Sequence, residues 1–241
     1  LAMQDACNLV LIDSDPKRNQ NRFEELFDCE AIFVCVPSPQ GDDGRCDTSI
    51  MEDVLEKLEK FTGVIISKCT ASPEVYTQLN ERYNNLVHAP EFLVAATANQ
   101  DYVNGTFAFI GGKIKAYRDQ AAQIIKLGQL NLTTIHHCTI AEAAMAKYTI
   151  NTFLATKVIW MNEMYQLCEK MNIDFKMVMA MATTDQRIGS SHTRVPGTDG
   201  QFGFGGACFP KDTEALANIA RDLGVELSML QTAIERNKKL R

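Results

Sequence analysis

The sequence predicts an α/β protein, with a parallel sheet in its first half and a helical second half built on one long central helix. Short, continuous apolar runs alternate with helix-compatible stretches up to about residue 137. Continuous apolar strands suit a sheet covered on both faces, and their alternation with helices suits parallel strands. From Ala141 to Asn172 there is neither proline nor glycine, and Ala, Met, Leu, Lys and Glu dominate, which is the composition of one long helix. At 241 residues, 46% hydrophobic and 22% charged, the chain holds enough interior for one large or two modest domains. The change of character near Cys138 divides it into domains 1–137 and 138–241.

Each element follows from its own residues. Leu9-Val10-Leu11-Ile12 reads as a strand ending at Asp13, followed by helical Arg18 to Phe27. Ala31 to Val36 is a second strand, stopped by Pro37 and Pro39. Ile50 to Phe61 is a helix with Asp47, Thr48 and Ser49 available to cap it. Val64 to Ile66 is a strand, Pro73 to Tyr83 a helix, and Phe107 to Ile110 a strand closed by Gly111-Gly112. A helix from Lys115 to Leu127 and a strand near Leu132 to His136 complete the first half. The long helix carries Met145, Tyr148, Phe153, Ile159, Trp160 and Met164 around much of its girth. That predicts packing on several sides, with a second copy of the chain as one candidate. A helix over Phe175 to Ala182, a Gly/Ser/Thr/Pro-rich loop from Arg187 to Gly206 and helix from Thr213 onward finish the chain.

Composition excludes some functions. The net charge of −6 argues against nucleic acid or an anionic membrane as partner, though not against a small anionic ligand. No apolar stretch is long enough to span a bilayer, and no secretory signal is visible. The eight cysteines form no C-x-x-C pair, so the reading is mostly free, structural thiols in a reducing, cytoplasmic setting, with no metal site.

Phe202-Gly203-Phe204-Gly205-Gly206-Ala207-Cys208-Phe209-Pro210-Lys211-Asp212 is the segment that carries chemistry. Three glycines let a backbone approach a ligand closely, and the loop delivers one thiol to its end. On residue types alone it is either a catalytic loop or a tight connection with a buried cysteine. The string from Val195-Pro196-Gly197 through Asp212 resembles the nucleotide-sugar dehydrogenase family, in particular its UDP-glucose 6-dehydrogenase branch. Lys68-Cys69-Thr70, Ala89-Pro90-Glu91-Phe92-Leu93, and Lys147-x-x-x-Asn151 with Asn162-Glu163 resemble further family segments in the expected order.

The resemblance implies an incomplete Rossmann-like domain followed by the family's central helical domain. It implies NAD-dependent, two-step oxidation of UDP-glucose to UDP-glucuronate through a cysteine thiohemiacetal and thioester. Cys208 would be the nucleophile. Lys147 and Asn151 share a helix face and would stabilise an oxyanion; the plain alternative is a solvated lysine above a packing asparagine. Glu91 would be a general base or else a surface glutamate, and Asp212 would orient water or else only favour a helix start. Thr70 would serve both catalysis and cofactor. Phe92, Leu93, Arg187, Phe202, Gly203, Phe204, Gly205 and Gly206 would contact the sugar nucleotide. Asp13, Arg18, Val36, Pro37, Ser38 and Lys211 would contact NAD, Asp13 favouring it over NADP. The expected partners are a UDP-sugar and a second copy bound through the long helix. UDP-N-acetylhexosamines rank lower and GDP-mannose stays open. The alternative is a catalytically incomplete, dimeric binding or assembly remnant of the family.

Several family features are missing: the Gly-x-Gly-x-x-Gly turn, the second Rossmann-like domain, and a second acid at the position of Ala95. The segment between Asp13 and Ala31 is also short for the family. Losing the glycine turn removes several kcal/mol of charge-assisted hydrogen bonds to a pyrophosphate. NAD is therefore expected to bind weakly and turn over little; micromolar binding in titration calorimetry would overturn that.

Overall fold

A computed structural model describes residues 7–93 and 97–241. The position of Ala95 lies outside the described residues. The chain divides into two compact units, Leu1–Pro39 with Asp47–Lys147, and Gln40–Cys46 with Tyr148–Arg241.

The first unit is a five-stranded sheet ordered β1 (Ala31–Val34), β2 (Val64–Ser67), β3 (Leu86–His88), β4 (Phe107–Gly111), β5 (Thr134–Cys138). All four residues of β2 are buried, as its unbroken apolar run requires. Alternate residues feed two cores. Ile32, Val34, Ile65 and Leu86 pack against α1 (Ser49–Lys57), α2 (Pro73–Arg82) and the start of α5 (Ile140–Met171). Val64, Ile66, Val87, Ala108 and Ile110 pack against Ala121, Ala122 and Ile125 of α4 (Lys115–Gly128). A short helix, α3 (Ala98–Asn104), precedes β4.

Local signals explain most boundaries. Ser72 caps α2 by accepting the Val75 N–H at 3.2 Å, with Pro73 in the first turn. At the head of α5, Glu142 Oε2 accepts the Thr139 N–H at 2.7 Å while Thr139 Oγ1 accepts the Glu142 N–H at 3.2 Å, a reciprocal capping box.

Three expectations need correction. The sheet is mostly parallel, but β3 and β4 pair antiparallel through His88 and Gly111. Apolar patterning reports burial and not strand direction, so the sequence could not show this. Leu9–Ile12 forms no strand. The Leu11 N–H donates to Asn21 Oδ1 at 3.0 Å, and the Leu11 carbonyl accepts from Gln20 and Asn21, so a local turn takes the groups a ladder would use. The helix expected over Arg18 to Phe27 is confined to a 3₁₀ helix, Phe23–Asp28.

In the second unit α5 continues through Tyr148 to Met171, followed by α6 (Phe175–Ala182), α7 (Phe209–Asp222) and α8 (Ser228–Leu240). Ala155 and Ile159 pack with Phe204 and Ala233; Met161 and Cys168 pack with Phe175 and Val195. Asp174 caps α6 through the N–H groups of Lys176 and Met177. The hairpin Gln40–Cys46 belongs to this unit: the Asp43 carbonyl accepts from Asn218 Nδ2 at 3.1 Å, and Arg45 pairs with Asp222. The long helix is not enclosed all round, because Phe153, Trp160, Leu167 and Met171 are exposed along it. Among the described residues no helix is long and apolar enough to cross a membrane.

His88 sits fully inside the first unit. Its ring stacks on Tyr76 at 4.1 Å, and its Nδ1–H donates to the Ser67 carbonyl at 3.1 Å. Burial pushes its pKa down to about 3, so it is neutral in the fold. The unfolded chain binds that proton from about pH 6.5 downward. The folded pKa is depressed, so this contribution is complete above about pH 6.5 and is lost towards pH 3. At pH 4 the loss from this group is about 3 kcal/mol. Thermal melts of wild type and His88→Gln should converge as pH falls from 7 to 4; parallel curves would contradict the assignment.

Candidate active site

Parallel strands deliver their C-terminal ends to one edge of a sheet, where ligands of open α/β folds gather. β1 leads into Val36, Pro37 and Ser38, and β2 leads into Lys68, Cys69 and Thr70. Cys69 ties these turns together by donating its thiol to the carbonyls of Val34 and Val36, at 3.4 and 3.3 Å. Val36 packs against the core, Thr70 is half-buried, and Ser38 Oγ is buried with no hydrogen-bond partner among the described residues. An orphaned hydroxyl at a strand's C-terminal end fits a polar ligand such as NAD. Asp13 and Arg18 are exposed; Asp13 ends no strand, so the strand-end argument for it does not hold, and Arg18 lies 3.7 Å from Asp15.

Glu91 follows β3 and is held at both ends. Its carboxylate pairs with Lys68 Nζ at 2.7 Å, and its main-chain carbonyl accepts from Lys147 Nζ. The Lys68 side chain is only 8% exposed and lies 5.6 Å from the Tyr102 ring. The Lys147 ammonium stands 5.1 Å from the ring of Phe92, which packs on Phe107 and Phe109. Glu91 is therefore ion-paired, and Lys147 is part-buried against the loop that carries Glu91. In sequence Lys68 is only part of a turn; its pairing with Glu91 arises because Ser67 of β2 lies in register with His88 of β3.

The second unit holds the other constellation. Asn151 is 6% exposed, and its Nδ2 donates to Asp212 Oδ2 at 2.6 Å. Asp212 is fully buried, and its Oδ1 pairs with Lys211 Nζ at 2.5 Å. Lys211 reaches Cys46 Sγ at 3.5 Å, and that sulfur lies 3.4 Å from the Tyr148 hydroxyl. Burial alone would lower the Lys211 ammonium, but Asp212 and Cys46 outweigh it and hold the group above the ordinary lysine range. Asp212 is therefore no simple helix-start residue, and Lys211 is committed to it. Cys46 carried no sequence signal for this contact.

α7 begins at Phe209, earlier than the expected Thr213, with Pro210 in its first turn and Cys208 as its N-cap residue. Cys208 is exposed, not a buried structural thiol. A sulfur there lies at the positive end of a helix dipole. Before it, Phe202 packs on Tyr165 at 5.7 Å, and Phe204 is 3% exposed. Arg187 is 90% exposed in its side chain and forks onto Asp185.

The Asp212 network has a measurable consequence. Asp212→Ala would strand Lys211, 13% exposed, without its counter-charge. The expected loss is about 3–5 kcal/mol in urea unfolding, against a milder cost for the paired change Lys211→Met with Asp212→Leu. Equal losses would contradict a buried pair.

Comparison with known proteins assigns both units to one family. Residues 13–129 match the NAD binding domain of the UDP-glucose/GDP-mannose dehydrogenase family, and residues 141–239 match its central domain. The UDP-glucose 6-dehydrogenase of Rickettsia bellii (strain RML369-C) is 31% identical over 225 residues, covering 90% of this chain and 51% of that protein. The UDP-glucose 6-dehydrogenase YwqF of Bacillus subtilis (strain 168) is 29% identical over 228 residues, covering 88% and 49%. The structure of a UDP-glucose dehydrogenase from the hyperthermophilic archaeon Pyrobaculum islandicum matches with a TM-score of 0.78 at 23% identity, over 92% of this chain and 54% of that one, a likeness of fold. The chain spans about half the length of the curated relatives it matches. With an NAD-binding domain and a central domain matched in order, this chain belongs to the UDP-glucose/GDP-mannose dehydrogenase family.

Proposed function

We propose that the chain carries the residues for NAD-dependent oxidation of UDP-glucose to UDP-glucuronate, with Cys208 as the covalent nucleophile. One observation carries this reading. Cys208 stands exposed at the head of α7, and the same helix buries Asp212 against Asn151 and Lys211 one turn later. A structural loop has no need of a buried, fully bonded carboxylate beside an open thiol.

NAD bound near Val36, Pro37, Ser38 and Thr70 would supply the hydride acceptor for both oxidations. Cys208 Sγ adds to C6 of the aldehyde, and the carbonyl electron pair moves onto oxygen, giving a thiohemiacetal. In this reading Lys147 and Asn151 would donate to that oxygen. After the second oxidation the carbon is held as a thioester. Water attacks it, the C–S bond breaks, and the thiolate leaves with its electron pair while a carboxylate forms. Glu91, paired with Lys68, would accept the water's proton, and Asp212 would orient the site through Asn151. Phe92, Leu93, Arg187 and the backbone from Phe202 to Gly206 contact the sugar nucleotide, and Lys211 acts through Asp212.

Domains 1–137 and 138–241 remain our division by role, the protein is read as cytoplasmic, and neither nucleic acid nor membrane is among its partners. The exposed stripe Phe153, Trp160, Leu167 and Met171 supports a homodimer through α5. The same stripe favours the second reading, a dimeric binding or assembly remnant without turnover.

Alkylation of Cys208 with iodoacetamide, followed peptide by peptide with and without UDP-glucose, separates the two. Protection by the sugar nucleotide supports the enzyme; equal labelling supports the remnant.

A further inference from the structure

The loop that ends at Cys208 is anchored by carboxamides from two helices. Asn162 of α5 is 2% exposed, and its Oδ1 accepts the Gly203 N–H at 3.0 Å while its Nδ2 donates to the Val158 carbonyl at 2.7 Å. Asn237 of α8 brackets the next residue. Its Oδ1 accepts the Phe204 N–H at 2.7 Å, and its Nδ2 donates to the Phe204 carbonyl at 3.0 Å. A side-chain amide thus does for Phe204 what a neighbouring strand does in a hydrogen-bonded pair. Arg241 closes the far side, pairing with Asp199 at 2.5 Å with its guanidinium against Gly205.

The glycines follow from this crowding. Gly203 lies at φ +71°, and a side chain there would run into Asn237 Oδ1; one at Gly205 would meet the Arg241 guanidinium. By contrast nothing lies near a side chain at Gly206, whose φ is +76°. Gly206 is therefore open on this side among the described residues, and the thiol's place follows from Phe204 on one side and α7 on the other.

We infer that Asn237 is a positioning residue for Cys208, holding Phe204 so that the thiol stays seated at the head of α7. The inference rests on the role proposed above for Cys208 but not on turnover. It extends the chemistry of the loop to α8, whose sequence offers only an asparagine among charged residues.

Hydrogen exchange resolved to single amides, with peptide-level iodoacetamide labelling at pH 7, tests it. In Asn237→Ala, exchange at Phe204 should rise on the order of tenfold or more, while amides of α5 around Ala155 keep their protection. Labelling of Cys208 should fall about threefold as the sulfur leaves the helix head, with Cys7 as internal reference. Asn237→Asp keeps the acceptor and loses the donor, so it should restore Phe204 N–H protection and recover most of the labelling rate. It also decides the matter should the alanine variant not fold. Unchanged exchange at Phe204, or Cys208 labelling untouched in both variants, would overturn the inference, as would a uniform rise across the unit. Absence of UDP-glucose protection in wild type would sink the dehydrogenase reading and leave the Phe204 result standing.

Discussion

A carboxylate with no access to water has to be satisfied by its neighbours, and Asp212 is that group in the second unit. The arrangement around it follows from this need. One oxygen takes an amide from Asn151, which must then face inward from α5. The other takes Lys211, whose ammonium is drawn under cover with it and comes to rest against Cys46. Cys46 can be there only because the Gln40–Cys46 hairpin is tied down by Asn218 and Asp222 of α7. Helix α7 is thereby fixed in rotation, which aims its first residue's neighbour, Cys208, outward.

The first unit solves a related problem differently. Glu91 stays partly open, and the fold spends two lysines on it, one for the side chain and one for the main chain. Lys68 rises from a strand end and Lys147 from a helix, so a single loop residue is held by two independent elements. A carboxylate fixed in this way keeps its direction without being sealed off.

The elements themselves were largely legible. Absence of proline and glycine marked α5 to within a residue or so, and buried strands betrayed themselves by unbroken apolar runs. Thr139 and Glu142 announce the start of α5, and Pro210 announces that of α7. Leu9–Ile12 misled because four apolar residues suit an extended loop as well as a strand. Among site residues, the motif pointed to Cys208, Asn151, Lys147 and Glu91, yet not to what holds them. Lys68, Cys46, Asn162 and Asn237 reach their partners across long stretches of chain, and no local spacing encodes such encounters.

The hairpin from Gln40 to Cys46 also governs how the molecule can be taken apart. It departs from the run of the first unit and returns to it, so the polypeptide passes from one unit to the other three times. Cutting inside α5 would leave Arg45 and Cys46 on the wrong fragment, and the excised C-terminal piece would carry Lys211 and Asp222 without the groups that meet them. The helices of the second unit are thus unsuited to dissection as one contiguous stretch, and only a permuted or co-expressed pair of fragments would rebuild them.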